Sequence, residues 1–238
     1  MGYSFTFPLF HLIGGCKIAC YVHYPIISTD MLGQVTNHTT TFNNASTICN
    51  SSLLSQAKTV YYKLFACIYG VTGQYADVIM VNSSWTEDHI NKIWNVPQKT
   101  YKVHPPCNVK KFLDISVESD PELCRIIAVA QFRPEKNHPL MIRSFHKLMD
   151  LLTDQEKSKV KLVMVGSCRN EEDNQRVTDY KRLSQHLNLE NHIEFYINVE
   201  FDEYQRLLGE SIIGLHTMWN EHFGIGIIST NMNNLSYI

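Results

Sequence analysis

The chain has 238 residues, of which 44% are hydrophobic and 11% aromatic, so one large or two small globular domains are expected. A net charge of −2, without a basic run interleaved with aromatic residues, argues against nucleic-acid binding and gives no bulk attraction to anionic lipid. The charged fraction of 18% is low for a freely soluble protein and fits one that works against a membrane or a partner.

In the first half of the chain, short apolar runs alternate with helical patterns, which predicts parallel α/β structure. Strands are predicted at 18–22, 78–81 and 101–103, and helices at 58–75 and 85–94. The apolar stripe of the first helix is predicted to consist of Tyr61, Leu64, Phe65, Ile68, Tyr69 and Thr72. A polar loop at 37–55 and an acidic, proline-containing linker at 114–122 separate these elements from their neighbours.

A second series of alternating elements follows the linker. Strands are predicted at 125–130, 161–165, 192–195 and 212–215, and helices at 138–152, 173–187 and 202–208. Open α/β sheets bind ligands beyond the carboxyl ends of their strands. The polar residues just past those ends are therefore candidates to face one cleft between two domains: His23, Arg133 with Lys136, Ser167 to Arg169, and Glu221.

Seven cysteines occur without a repeating spacing, and several lie in apolar segments, which favours reduced thiols over a disulfide framework. Five Asn-x-Ser/Thr triplets point the other way, but chance supplies them in a chain rich in these residues. Residues 1–27 contain no apolar run of about 18 residues and no cationic start, so neither a transmembrane helix nor a signal peptide is expected.

The run from Gly214 to Ser229 is the most informative part of the sequence. A short apolar strand ends in a polar turn that carries Glu221, and a glycine-spaced helix start follows at once. Unpaired amides at a helix start favour an anion, and a carboxylate nearby accepts hydrogen bonds from sugar hydroxyls. Phosphate and polyol recognised together indicate a sugar nucleotide, whereas the plainer reading is an ordinary strand, turn and helix with a solvated glutamate.

The segment from Gln131 to Asn137 carries two cations three residues apart, directly after a strand. Arg133 as a fork and Lys136 as a point charge are suited to neutralise a diphosphate leaving group. The plainer alternative is a solvated basic turn. The acidic run Glu171 to Asp173 beside Arg169 is expected to be a solvated helix start.

The residues from His216 to Gly226 resemble the donor-site motif of the retaining GT-B glycosyltransferases of family 4, E-x7-E with a small-Phe-Gly core. The similarity is greatest to GDP-mannose-dependent members that add α-1,2-linked mannose to Man3GlcNAc2 on dolichol diphosphate during N-glycan assembly. The resemblance extends over about 2–228 and implies a GT-B fold. Two Rossmann-like, doubly wound domains would face a cleft, both incomplete here, at 1–115 on the acceptor side and 116–238 on the GDP-sugar side.

The resemblance also implies roles for individual residues. Lys136, Arg133 and the helix start at Gly224 to Gly226 would stabilise the departing GDP phosphate, Glu221 would position the mannose, and His23 would approach the donor sugar. Further donor contacts would come from Gln131, Gly166, Asn198, Val199, His222, Phe223, Gly224, Ile225 and Gly226. The implied partners are GDP-mannose, a dolichol-diphosphate oligosaccharide, the cytosolic surface of the endoplasmic reticulum membrane and other mannosyltransferases of the pathway.

No cofactor and no metal are expected. His216, Glu221 and His222 do not have the H-E-x-x-H spacing of a zinc site, and the sequence contains neither a D-x-D pair nor a phosphate-binding G-x-x-x-x-G-K-[ST] loop.

The sequence departs from the family pattern at two places. Ser229 stands where the family has its second glutamate, which grips the ribose, and Gln131 stands at the usual arginine position. Complete members also have further βα units at both ends and an upstream membrane anchor, so a truncated form with weak or no activity is expected. Two alternatives stay open: a non-catalytic fragment that binds a GDP-sugar or a pathway partner, and a retaining GT-B transferase with another donor.

Overall fold

The computed structural model describes residues 3–28, 30–31, 52–107, 112, 115, 120, 122–219, 221, 223–224, 226–227 and 236–237. Its contacts divide the chain into two compact units, Met1–Pro106 and Cys107–Ile238. The described strands pair in parallel within each unit, which confirms the α/β prediction. No helix in these described ranges is long and apolar enough to cross a membrane.

The first unit contains a three-stranded parallel sheet in the order β1-β2-β3. Its elements are a 3-10 turn (Tyr3–Thr6), α1 (Phe7–Leu12), β1 (Ala19–Val22), α2 (Ser52–Gly73), β2 (Val78–Val81), α3 (Ser84–Trp94), a 3-10 turn (Pro97–Lys99) and β3 (Thr100–Lys102). The core of this unit lies where α2 and α3 meet the sheet. There Trp94 packs edge to face against Phe7 and Tyr69.

The second unit contains a five-stranded parallel sheet in the order β6-β5-β4-β7-β8. Its elements are β4 (Cys124–Val129), a 3-10 turn (Pro134–Lys136), α4 (His138–Leu151), α5 (Asp154–Lys157), β5 (Val160–Gly166), α6 (Glu171–His186), β6 (Ile193–Ile197), α7 (Phe201–Gly209), β7 (Ile213–Gly214) and β8 (Ser236–Tyr237). This strand order is that of a Rossmann-type sheet.

Apolar side chains cover both faces of the second sheet, because successive residues of a strand point to opposite sides. Ile126 and Leu162 belong to the cluster that α4 and α6 cover, whereas Ile127 and Val163 pack with Leu207 of α7 on the opposite face. The second unit is therefore doubly wound.

The predicted apolar stripe of α2 is wrong for half of its members. Tyr69 is buried and Phe65 half-buried, but Tyr61, Leu64 and Ile68 are exposed. The reason is that α2 is apolar around most of its circumference, so periodicity does not single out the buried face. The helix also begins at Ser52, inside the predicted loop, and the rest of that loop lies outside the described residues.

Two short helices among the described residues were not predicted. Helix α1 has Pro8 in its first turn, and α5 begins with a capping box in which Thr153 and Glu156 bond reciprocally. Most of the predicted linker 114–122 lies outside the described residues. Six described cysteines are free thiols, as expected: Cys16, Cys20, Cys67, Cys107, Cys124 and Cys168.

Candidate functional site

The order of strands in the second sheet marks where a ligand is expected to bind. From β4 the chain proceeds outward to β5 and β6 on one side, and it later returns to place β7 and β8 on the other side. In open α/β sheets, ligands bind outside the carboxyl ends of the strands at such a switch point. The loops that follow β4 and β7 therefore flank the candidate site.

The loop after β4 positions Lys136 at the entrance to α4. A 3-10 turn over Pro134–Lys136 is followed by Asn137, whose φ of 52° lies in the left-handed region that asparagine tolerates better than most residues. The next residue, His138, begins α4. This sharp junction places the Lys136 backbone just past the carboxyl end of β4, the central strand of the sheet.

The loop after β7 is bound directly to this junction. The hydroxyl of Thr217 donates to the carbonyl oxygens of Lys136, at 2.8 Å, and of Asn137, at 3.2 Å. The Met218 sulfur lies 3.1 Å from Lys136 Nζ. The two loops are thus held together by several contacts across the switch point.

Lys136 and Glu221, two predicted site residues 85 positions apart, form an ion pair. Lys136 Nζ donates to Glu221 Oε2 at 2.7 Å, and His216 Nε2 lies 3.0 Å from the same oxygen. The side chains of Lys136 and Glu221 are only 19% and 20% exposed. The site therefore combines a half-buried cation with a carboxylate held by two nitrogen groups.

Glu221 is ionised throughout the physiological range. Its partial burial works to raise the pKa of the carboxyl, but hydrogen bonds from His216 and Lys136 and the charge of Lys136 outweigh that effect and lower the pKa to about 2. A carboxylate with so low a pKa accepts hydrogen bonds and does not supply a proton at neutral pH.

Two glycines lie close to Glu221 in the sequence, and the first has a backbone conformation that favours glycine. Gly224 has a φ of 72°, and a Cβ there would lie 3.1 Å from Glu221 Cγ and 2.9 Å from a methyl carbon of Ile227. Gly226 and Ile227 are helical, and a Cβ on Gly226 would lie 3.0 Å from the Val129 carbonyl oxygen. Their predicted neighbours His222 and Ile225, and also Ser229, lie outside the described residues, so the anion-binding helix start remains a prediction.

The other two polar residues of the loop after β4 do not join the ion pair. Gln131 is exposed, and Arg133 Nη1 lies 3.4 Å from Glu135 Oε1 within the same turn. The Arg133 Nε is buried without a hydrogen-bond partner in the described part of the chain. Of the two predicted cations, the structure places only Lys136 against Glu221.

The loops after β5 and β6 are joined to each other through Asn198. Its side chain accepts from the amide of Cys168 at 2.9 Å and donates to the carbonyl of Cys168 at 3.3 Å, and its own amide donates to Gly166 O at 3.0 Å. A Cβ on Gly166 would lie 2.0 Å from the Ala130 carbonyl oxygen, so glycine is needed there. Val199 packs against the core beneath α7, and Phe223 is half-buried.

The predicted solvated start of α6 is wrong at one residue. Asp173 is 1% exposed, and its Oδ2 accepts from the Arg169 amide at 3.1 Å and Arg169 Nε at 3.3 Å, while Arg176 Nη1 lies 2.5 Å from Oδ1. These bonds, led by that of the Arg169 amide, lower the pKa of Asp173. The charged run conceals a buried carboxylate that ties the loop after β5 to its helix.

His138 follows Lys136 by two residues and was not predicted as a residue of the site. Its ring is 2% exposed and is stacked between Phe132 and Tyr180, with centroid distances of 5.0 and 5.2 Å. Burial, followed by the nearby charge of Lys136, lowers the pKa of His138 to about 4. It is a neutral packing residue at neutral pH.

His23, the remaining predicted site residue, belongs to the first unit. It is exposed just past β1, its ring lies edge to face against Tyr21 at 4.8 Å, and its carbonyl oxygen is 3.5 Å from the Thr86 hydroxyl. Within the described ranges, no three His, Cys, Asp or Glu side chains are grouped so that they could hold a metal ion.

Comparison with known sequences gives matches along nearly the whole chain. Residues 1–94 match the family described as ALG11 mannosyltransferase N-terminus, and residues 110–232 match the family described as Glycosyl transferases group 1. A human relative named GDP-Man:Man(3)GlcNAc(2)-PP-Dol alpha-1,2-mannosyltransferase is 51% identical over 230 residues, which are 96% of this chain and 47% of that protein. A Dictyostelium discoideum relative of the same name is 42% identical over 234 residues, 96% of this chain and 46% of its own length. The chain thus spans about half the length of these curated relatives.

Solved structures share the fold at low sequence identity. HepE from Anabaena, in complex with UDP, has a TM-score of 0.66 at 11% identity and is matched over 98% of this chain and 56% of its own. A UDP-forming trehalose-phosphate synthase from Burkholderia xenovorans has a TM-score of 0.64 at 10% identity, over 95% of this chain and 54% of its own. These similarities confirm the GT-B class of fold that was predicted from the sequence.

Proposed function

The chain belongs to the group 1 glycosyltransferases. We propose that it catalyses the transfer of α-1,2-linked mannose from GDP-mannose to a dolichol-diphosphate oligosaccharide, with retention of configuration at the anomeric carbon. The acceptor glycan would be Man3GlcNAc2, the one named in its curated relatives. The observation that carries the proposal is the Lys136–Glu221 pair at the switch point of the second sheet. A cation for phosphate and an ionised carboxylate for sugar hydroxyls stand side by side there.

In the proposed reaction, the bond between the anomeric carbon of mannose and the GDP phosphate oxygen breaks, and its electron pair leaves with GDP. The acceptor hydroxyl oxygen bonds to the anomeric carbon from the same face, and the hydroxyl proton passes to the departing phosphate. Configuration is retained without a nucleophile from the protein. The dominant catalytic contribution is then preorganised charge at the phosphate.

Lys136 is suited to the phosphate because an ammonium group has three N–H donors. It can hold Glu221 with one of them and still offer others to a phosphate oxygen. Glu221, with a pKa of about 2, acts as an acceptor for mannose hydroxyls and not as an acid. The pair thus fixes the relative position of the two halves of the donor.

The other assignments belong to the same proposal. Arg133 exchanges Glu135 for the diphosphate, His23 approaches the mannose, and Asn198 holds the loop near the nucleotide. The remaining donor contacts are Gln131, Gly166, Val199, His222, Phe223, Gly224, Ile225 and Gly226. Since Lys136 supplies the positive charge, the proposal requires no metal, and transfer is expected to be unchanged by EDTA.

An exposed apolar stripe supports a lipid-linked acceptor. Val60, Tyr61, Leu64, Ile68 and Val71 of α2 are each between 44% and 65% exposed and recur at helical spacing. Such a stripe is suited to the surface of a bilayer. The stripe supports a reaction at a membrane surface, which we propose to be the cytosolic face of the endoplasmic reticulum membrane, where other mannosyltransferases of the pathway are candidate partners.

Donor binding tests the proposal through a matched pair of substitutions. Titration calorimetry with GDP, GDP-mannose and GDP-glucose is applied to the unchanged chain, to Glu221→Gln and to Glu190→Gln, an exposed glutamate of the same unit. Glu221→Gln is expected to weaken GDP-mannose binding about tenfold or more while GDP binding changes little. Equal loss in both variants, or no binding of any GDP compound, would contradict the proposal.

Transfer of labelled mannose to a lipid-diphosphate oligosaccharide separates the enzyme from the alternative. A chain that binds GDP-mannose and transfers mannose supports the proposed reaction. A chain that binds GDP-mannose without transfer, in the presence of the acceptor and of membranes, supports the non-catalytic GDP-sugar-binding alternative. A stronger response to a different GDP-sugar supports a transferase with another donor.

A further inference from the structure

Trp219 lies in the loop after β7 with most of its ring in solvent. Its exposed fraction is 77%, whereas Trp94 is 1% exposed and Trp85 is stacked on Tyr24 at a centroid distance of 5.4 Å. Scattered apolar side chains are common on protein surfaces. The position of this one, two residues before Glu221, sets it apart.

Side chains on both sides of Trp219 contact the loop after β4. Before it, Thr217 bonds the carbonyl oxygens of Lys136 and Asn137, and Met218 lies against the Lys136 ammonium. After it, Glu221 is paired with the same ammonium. The indole is therefore presented from an anchored loop, and a preorganised aromatic group loses little conformational entropy when a ligand covers it.

We propose that Trp219 is a stacking platform for a pyranose ring, either the mannose of the donor or a mannose of the acceptor glycan. This inference rests on the proposed function, which supplies the sugar, and it adds a specificity-determining residue to that site. One face of a mannopyranose presents mainly C–H groups, and the rim carries hydroxyls. A flat apolar ring two residues from an ionised carboxylate offers a surface for the C–H face and an acceptor for the hydroxyls.

The surroundings favour a sugar over a lipid tail. The described polar side chains within three residues of Trp219 along its loop are His216, Thr217 and Glu221, and Lys136 contacts the same loop at Thr217, Met218 and Glu221. A hydrocarbon chain that covered Trp219 would lie against these charges without satisfying them. A pyranose ring offers C–H groups to the indole and hydroxyls to the polar side chains.

Fluorescence quenching by acrylamide measures the exposure of Trp219 directly. The signal of the Trp219→Phe variant is subtracted from that of the unchanged chain, which isolates this indole from Trp85 and Trp94. The ligands are GDP, GDP-mannose and lipid-free Man3GlcNAc2 oligosaccharide. Because bound ligands bury most of the surface they contact, the quenching constant of Trp219 is expected to fall about twofold or more with GDP-mannose, with the oligosaccharide or with both, and to stay unchanged with GDP.

Affinity measurements supply the second readout. Trp219→Ala is expected to lower the affinity for the ligand that protects the indole about three- to tenfold, whereas Trp219→Phe is expected to retain most of that affinity. The affinity for GDP is expected to stay the same in both variants. The matched control is Tyr101→Ala, which removes a 54% exposed ring from the first unit and is expected to change none of these values. The exposure of Trp219 makes both variants compatible with folding.

The outcomes test sugar stacking on Trp219 separately from the proposed function. Protection by GDP-mannose but not by the oligosaccharide identifies the donor sugar, and the reverse identifies the acceptor. Protection by GDP alone, or an unchanged sugar affinity in Trp219→Ala with GDP still bound, overturns the inference. If neither GDP nor GDP-mannose binds, the proposed function fails, and the oligosaccharide titration still decides whether Trp219 stacks on a sugar.

Discussion

Lys136 and Glu221 form a half-buried ion pair in the candidate site, so substitution of either residue changes the electrostatic environment of the other. Removal of Lys136 leaves the Glu221 carboxylate as uncompensated negative charge where a diphosphate is proposed to bind. The lost attraction to Lys136 and the remaining repulsion from Glu221 would both weaken the binding of the diphosphate. The ion pair is therefore the most sensitive point of the site.

We predict that Lys136→Ala weakens GDP binding and lowers the rate of any mannose transfer about a hundredfold, the usual effect of removing a charge that stabilises a leaving group. Calorimetry with GDP and single-turnover transfer measure the two effects. The matched control is Lys147→Ala, whose side chain is 82% exposed on α4 and pairs only with Asp150 in the described structure. If the two variants bind GDP equally well, Lys136 does not contact the phosphate.

His138 makes the stability of the second unit depend on pH. Its pKa is about 4 in the folded chain and about 6.5 when unfolded, so the unfolded state binds the extra proton in the intervening range. Stability is then complete above about pH 6.5 and falls as the pH is lowered towards 4. We predict a loss of up to about 3 kcal/mol in the free energy of unfolding over this range.

Urea unfolding at pH 7.5, 6 and 5 checks this prediction. His138→Gln is expected to flatten the pH dependence while it lowers stability at pH 7.5, because the ring no longer stacks between Phe132 and Tyr180. His186→Gln, a change on the exposed end of α6, serves as the control and should keep the original slope. The same slope in all three proteins would show that His138 is not the group responsible.

The sequence predicted most of the described strands and helices to within a few residues, because their hydrophobic periodicity reports burial. It placed Lys136 and Glu221 past strand ends, but not against each other. Their pairing depends on the position of β7 beside β4, a long-range feature that no local pattern records. For α2 the pattern misled, because a helix that is apolar on several sides has no unique buried face.

Helix α6 shows how a charged run can be misread. Asp173 was expected in solvent, yet it is buried and bonds Arg169 and Arg176, because the helix start folds the loop after β5 over it. Composition gives no sign of which of three adjacent acids turns inward. The signal lies in the flanking arginines, which stand four residues before and three after it.

We predict that Asp173→Asn lowers the urea midpoint of the second unit, because it removes the charge that the two arginines and the Arg169 amide share. Asp179→Asn makes the same change on the same helix at a residue whose side chain is 55% exposed, and it should leave the midpoint nearly unchanged. Equal midpoints in the two variants would mean that the buried carboxylate contributes nothing beyond a surface pair.

The exposed stripe of α2 is consistent with the lipid-linked acceptor that we propose for this chain. A transferase that acts on a dolichol-linked glycan gains from lying on the bilayer, since substrate and protein then share one surface. The stripe residues Leu64 and Ile68 are one turn apart and 60% and 44% exposed. Full burial of either side chain in the bilayer is expected to contribute about 1.5–3 kcal/mol to the free energy of membrane binding.

We therefore predict that the double variant Leu64→Asn and Ile68→Asn sediments with phosphatidylcholine and phosphatidylinositol vesicles at least about tenfold less than the unchanged chain. Asparagine keeps the net charge the same, so the change reports apolar contact and not attraction to anionic lipid. The control is Leu151→Asn, which replaces an 84% exposed leucine at the end of α4 in the second unit. If both variants retain vesicle binding, or both lose it, the stripe is not the membrane-facing surface, while GDP binding measured in the same samples shows whether the donor site has survived the substitutions.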